Sequence, residues 1–220
     1  MDCELVFTAN AGCILHWGQL CILLDALHSE QTGEFSSLNA AQIQQVFSLL
    51  DKRPPQLILV THRHPDHYSP QLVEQALGRY PGALLVRPSR EGRMGSKRLT
   101  LEWFPLPHRG GGAANFGFLL SLDGKRIFTA GDADPGAAET LQRCAGLQPD
   151  LALLNFPWLS LRSGRQALEQ LGCRQLCLFH LPYAAEDALG YLATTRRLAE
   201  PLGARVRVLS EFLQTERFSL

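Results

Sequence analysis

Three histidines and an aspartate fall within six residues of the stretch VTHRHPDHYSP, Val60–Pro70: His62, His64, Asp66 and His67, spaced H-x-H-x-D-H. The chain has only seven histidines, so three in one loop call for a chemical reason. Neutral imidazole nitrogens and carboxylate oxygens are ligands for Zn²⁺, with Mn²⁺ or Fe as alternatives. A cluster without cysteine suits an open, catalytic type of site better than a closed structural one. Three further candidates each follow an apolar, β-type run: His108 in FPLPHRGGG, Asp132 in RIFTAGDAD and His180 at the end of QLCLFH.

The elements that must position these residues are legible in outline. Leu57–Thr61 reads as a buried strand, and Pro65 and Pro70 stop it from continuing through the histidines. The cluster therefore occupies a loop at a strand's C-terminal end, a common place for a site. Strands are predicted at Glu4–Thr8, Cys13–Trp17, Leu20–Leu24, Ala83–Val86, Leu99–Phe104, Gly117–Leu122, Arg126–Ala130, Leu151–Asn155, Gln175–Phe179 and Arg205–Leu209. Helices are predicted at Ala40–Leu50 behind an Asn39 cap and at Pro70–Arg79 behind a Ser69 cap. Others are expected over Ala137–Cys144, Arg165–Gly172 and Ala185–Leu198. Strand runs that give way to alternating units, twice over, indicate an α/β chain with sheet layers covered by helices. With no linker-like or repetitive tract, the expectation is one domain spanning residues 1–220.

Composition narrows the function. Lys+Arg and Asp+Glu balance at 21 each, which leaves no electrostatic footprint for a long nucleic acid. The start, MDCELVFTANAGC, lacks the basic and apolar regions of a signal peptide, and no run is long enough for a membrane span. The six cysteines are scattered without a C-x-x-C and read as reduced, buried thiols of a cytoplasmic protein.

Taken in order, the H-x-H-x-D-H cluster, the lone His108, the Gly131-Asp132 pair after a strand and the strand-end His180 resemble the metallo-β-lactamase fold hydrolase superfamily. The resemblance runs from Asp25 in ILLDAL to His180. It implies a four-layer αββα sandwich and two divalent metal ions, chiefly zinc. On it, His62, His64 and His108 hold one ion, Asp66, His67 and His180 hold the other, and Asp132 bridges both. Asp25 then becomes a buried carboxylate behind the histidine loop, against the plainer reading of a strand-to-loop cap. The segment NFGFLLSLDGKRIFTAGDAD is most similar to the branch that includes ascorbate-6-phosphate lactonase and N-acyl phosphatidylethanolamine phospholipase D.

The activity this implies is hydrolysis of a small-molecule ester, lactone or phosphodiester. A hydroxide bridging the metals would be the nucleophile, positioned by Asp132, with Asp66 able to take its proton. The rival readings are a small nucleotide phosphodiesterase or nuclease and a non-hydrolytic metal-binding member. His28 reads either as a substrate contact or as a solvated loop residue. Arg63 and Arg109 each neighbour a ligand and could steer an anionic substrate, although neighbours in extended chain point apart. The connection Arg87–Arg98 holds five basic residues and one acid; it reads as a solvated link or as an anion-attracting rim. Phe156 and Trp158 are candidates for an aromatic wall or for core. Gly110–Gly112 permit close backbone approach or a tight turn. The expected partner is a small anionic molecule, with no membrane and no long nucleic acid; a homo-oligomer is left open.

Overall fold

The computed structural model describes residues 2–220. In chain order it has β1 (Asp2–Phe7), β2 (Cys13–Trp17), β3 (Leu20–Leu24), α1 (Ala40–Lys52), β4 (Leu57–Leu59), α2 (Pro70–Arg79) and β5 (Leu84–Val86). Next come β6 (Gly92–Gly95), β7 (Leu99–Leu106), β8 (Asn115–Leu122), β9 (Lys125–Thr129), α3 (Ala138–Cys144) and β10 (Leu151–Asn155). The remainder is α4 (Pro157–Ser160), α5 (Arg162–Leu171), β11 (Gln175–Phe179), α6 (Tyr191–Ala199), β12 (Val206–Val208) and β13 (Thr215–Ser219). Two compact units share these elements: one runs to Arg87 and adds His180–Leu189 and Ser210–Leu220, the other is Pro88–Phe179 with Gly190–Leu209.

The first unit is built on a sheet of order β13-β1-β2-β3-β4-β5. Its first strands form an antiparallel meander, and β3, β4 and β5 are parallel. Parallel neighbours need crossovers, which α1 and α2 supply. Both helices start where their sequences say they should. Asn39 and Gln42 form a reciprocal capping box, with Gln42 N donating to Asn39 Oδ1 at 3.0 Å and Asn39 N to Gln42 Oε1 at 2.9 Å. Ser69 caps α2 ahead of Pro70, whose missing N–H costs nothing in the first turn. Val46, Phe47 and Leu50 of α1 and Val73 and Ala76 of α2 are the buried stripes of these helices.

The second unit has the sheet order β12-β11-β10-β9-β8-β7-β6. Here too an antiparallel run, β6 to β9, gives way to parallel strands, β9 to β12, with α3, α4 with α5, and α6 as crossovers. Phe128, Leu154, Trp158, Leu171 and Leu178 lie in its core, so Trp158 is packing and not an aromatic wall. Phe156 stacks on Tyr191 with centroids 5.2 Å apart. The α/β class is thus present as two mixed sheets flanked by helices. No helix among the described residues is long and apolar enough to cross a membrane.

Several boundaries differ from expectation for identifiable reasons. Strand β4 stops at Leu59 because the N–H of Thr61 is given to a side chain, Asp25 Oδ1 at 2.8 Å. Strand β7 runs on through Pro105 to Leu106, where it pairs with β8 alone; β6 reaches only as far as Trp103. A proline is tolerated there because no second strand asks for its N–H. The helix predicted over Ala185–Leu198 is a 3₁₀ turn at Ala184–Glu186 followed by α6, separated by Gly190 at φ +71°. The link Arg87–Arg98 contains strand β6. Arg98 pairs with Asp123 through two bonds of 2.8 Å, and Arg93 lies 3.7 Å from Glu102. All six cysteines are buried and none is in a disulfide.

Candidate metal centre

In the first unit the histidine loop hangs on one carboxylate. Asp25, at the C-terminal end of β3, is buried and takes the left-handed φ of +45°, which aspartate tolerates better than most residues. Its Oδ1 accepts from Thr61 N at 2.8 Å, and its Oδ2 accepts from Thr61 Oγ1 at 2.6 Å and faces His67 Nδ1 at 3.0 Å. A carboxylate only accepts, so His67 carries its proton on Nδ1 and presents the Nε2 lone pair. The same carboxylate acts on His62 at one remove. Thr61 spends its single hydroxyl proton on Asp25, so His62 Nδ1, 3.0 Å from Thr61 Oγ1, must be the donor there. His62 Nε2 is thereby left as a lone pair, facing His64 Nδ1 at 3.1 Å.

Asp66 and His180 are joined to the same place by the turn between β1 and β2. Asn10 Nδ2 donates to Asp66 Oδ2 at 2.8 Å, and the Asn10 carbonyl accepts from His180 N at 2.8 Å. His180 directly follows β11, at φ +58°, with the Phe35 ring edge-on at 4.3 Å. Asp66 Oδ2 lies 3.7 Å from His180 Nε2 and 3.9 Å from His67 Nε2. The donor atoms of Asp66, His67 and His180 all lie within 4.8 Å of one another.

In the second unit the segments around His108 and Asp132 are zipped together. His108 bridges Ala133, Arg109 N donates to Asp132 O at 2.9 Å, and Asp134 N donates to Pro107 O at 2.8 Å. This puts His108 Nε2 3.9 Å from Asp132 Oδ2. Two carboxamides hold the aspartate: Asn115 Oδ1 accepts from Asp132 N at 3.1 Å, and Asn155 Nδ2 reaches Asp132 Oδ1 at 3.5 Å.

This donor chemistry fits divalent metal ions. Ligands about 2.1 Å from a tetrahedral ion sit roughly 3.4 Å from each other, close to the 3.7 and 3.9 Å spacings around Asp66 Oδ2. The set is imidazole and carboxylate with no thiolate, which suits zinc, manganese or iron. Asp25 stands behind His67 in the position where metal-binding histidines commonly have an outer carboxylate.

The remaining candidates fall elsewhere. His28 is not a solvated loop residue: it is 0% exposed, its Nε2 lies 3.1 Å from Ala9 O, and burial pushes its pKa down to about 4. Arg63 and Arg109 are exposed. Gly110, Gly111 and Gly112 all have positive φ, between +75° and +94°, and nothing lies within 4 Å of where a Cβ would be. They serve a turn and not a close approach. Sequence reasoning missed Asn10, Thr61, Asn115 and Asn155. For Asn10 the one local signal was an Asn before Ala-Gly at a hairpin turn, which reports turn chemistry and not a contact to Asp66.

No family model matches the chain, and no curated protein matches it in sequence. Solved structures do match. A metallo-hydrolase from the hyperthermophilic archaeon Ignicoccus hospitalis superposes with a TM-score of 0.68 at 16% identity, over 100% of both chains. A metallo-β-lactamase fold protein from Bacillus subtilis gives 0.67 at 10% identity over 99% of each. This chain has the metallo-β-lactamase fold. The same fold also makes up part of CmlA, a diiron β-hydroxylase from Streptomyces venezuelae, with a TM-score of 0.60 at 12% identity, over 99% of this chain and 54% of that one. Structures of this fold therefore include both a metallo-hydrolase and a diiron hydroxylase.

Proposed function

We propose that the protein is a dinuclear metal-dependent hydrolase of a small anionic ester, lactone or phosphodiester. One observation carries this reading: Asp66, His67 and His180 converge, with Asp25 fixing the tautomer of His67 and Asn10 holding the carboxylate of Asp66. His62, His64 and His108 would hold one ion, Asp66, His67 and His180 the other, and Asp132 both. Bound there, two divalent ions would supply Lewis acidity and lower the pKa of a water toward neutrality.

The chain's own residues do the rest. Asp132, with its backbone N–H on Asn115 and a carboxylate oxygen near Asn155, sets where the attacking water sits. Asp66 accepts the proton that this water loses. Arg63 and Arg109, both exposed, attract the anionic group of the substrate. Their contribution is to binding shared by ground and transition states, so charge reversal raises KM more than it lowers kcat.

The test combines elemental analysis with a substrate panel of bis(p-nitrophenyl) phosphate, lactones and a chromogenic β-lactam at two salt concentrations. About two metal ions per chain and fastest, salt-sensitive turnover on an anionic substrate are expected. An active preparation free of metal sinks the assignment, and fastest turnover on the β-lactam sinks the substrate class. Iron as the sole metal, with dioxygen consumption and no hydrolysis, would favour an oxidative chemistry instead.

A further inference from the structure

Turns between strands normally lie at the surface. The one between β1 and β2 does not: Thr8, Asn10 and Ala11 are each 0% exposed. It is closed by Thr8 N donating to Gly12 O at 2.9 Å and Gly12 N donating to Ala9 O at 2.6 Å. His28 Nε2 sits against Ala9 O from the other side. Burying so polar a turn is costly unless its groups are used. Asn10 uses two of its groups on two separate candidate ligands: its amide on Asp66 and its carbonyl on the backbone of His180.

Resting on the dinuclear reading above, we infer that Asn10 is a positioning residue for the second ion, setting Asp66 and His180 at ligand spacing through one buried turn. The chemistry is specific to an amide on this backbone. Asn10 has φ +46°, a left-handed conformation that glycine, asparagine and aspartate accept far more readily than other residues, and of these only asparagine brings an amide donor. Its Nδ2–H occupies one lone pair of Asp66 Oδ2 and leaves another for a cation, at the oxygen that faces both His67 and His180. Asp66 is thus held in one rotamer before any ion arrives. A carboxylate with no such donor would be free to turn, and the His180 backbone, itself left-handed, would keep only half of the device.

The test uses Asn10→Gly in the full chain. Glycine keeps the positive φ and the carbonyl to His180 but deletes the amide that holds Asp66. Co²⁺ titrated into the metal-free protein, followed by calorimetry and by the visible absorption of each bound ion, resolves the two binding steps. One step should weaken by about 10- to 100-fold, as for other outer partners of metal ligands, while the other step and the circular dichroism stay unchanged. General loosening of the fold would weaken both steps together. If Asn10→Gly does not fold, Asn10→Asp replaces it, since aspartate tolerates the positive φ but its ionised carboxylate has no hydrogen to donate to Asp66, and the same selective loss is expected. Two unchanged steps overturn the inference while leaving the dinuclear reading intact. A wild-type chain that takes up no second ion overturns both.

Discussion

At the scale of single residues, Asp25 governs the most with the fewest atoms. One carboxylate satisfies the backbone and hydroxyl of Thr61 and fixes His67, and through Thr61 it fixes His62. Asp25→Asn keeps the shape but trades one acceptor oxygen for a donor that faces other donors. The expected result is metal affinity lower by about 10- to 100-fold and a stability loss of about 1–3 kcal/mol for the broken buried bonds. Metal titration and denaturant unfolding measure the two. Unchanged metal binding would reduce Asp25 to a strand-end cap. Asp25 was visible in the sequence because an aspartate ending an apolar strand is conspicuous. Thr61 and Asn10 were not. A threonine closing a strand is ordinary, and Asn10 meets Asp66 across 56 residues, a pairing that no local pattern encodes.

At the scale of elements, the two units repeat one arrangement. Within each mixed sheet the parallel strands run out into candidate residues: β3 into Asp25 and β4 into the histidine loop, β9 into Gly131-Asp132, β10 into Asn155 and β11 into His180. Open α/β sheets commonly place ligands beyond the carboxyl ends of their strands. That is why the candidate ligands could be read from sequence: strand ends are marked by where apolar runs stop. The missed elements lacked such marks. Strand β6 is GRMG, and β13 is TERFS with Phe218 as its one buried residue, so neither alternates apolar and polar positions. The β1–β2 turn offers a test at this scale. A Cβ on Gly12 would lie 2.2 Å from Thr8 Oγ1, 3.0 Å from Ala9 O and 3.1 Å from Ala26 Cα. Two of these are backbone atoms that cannot swing aside. Gly12→Ala should therefore cost roughly 1–3 kcal/mol through overpacking, and it should displace Asn10 and weaken metal binding as well. Thermal unfolding and Co²⁺ titration read both effects. A neutral outcome in both would show that the turn gives way freely.

At the scale of the whole molecule, metal binding and folding stability should be linked. An ion that binds only the folded chain adds RT ln(1 + [L]/Kd), about 2.7 kcal/mol when its free concentration is a hundred times Kd. For a chain of 220 residues, each kcal/mol moves Tm by about 2–4 °C. Removing one such ion should then lower Tm by roughly 5–10 °C, and removing two by about twice that. The candidate ligands would leave a distinct signature in this shift. They are imidazoles and carboxylates, which protons compete for as pH falls, so metal-dependent stabilisation should shrink below neutral pH. The buried His28 acts in the same direction without metal. Its pKa is held down to about 4 by burial, against roughly 6.5 when unfolded. The unfolded chain then binds the extra proton between those values, so stability falls as pH drops from about 6.5 through 4. Two melting series separate the effects: metal-loaded and chelator-treated protein, each from pH 8 to pH 4. The curves should lie well apart at pH 8 and converge under acid, and the metal-free curve should still slope downward below pH 6.5. Coincident curves at pH 8 would show that no ion stabilises this fold. A metal-free curve with the same slope in His28→Gln as in the wild type would show that His28 takes up its proton as readily in the folded chain as in the unfolded one.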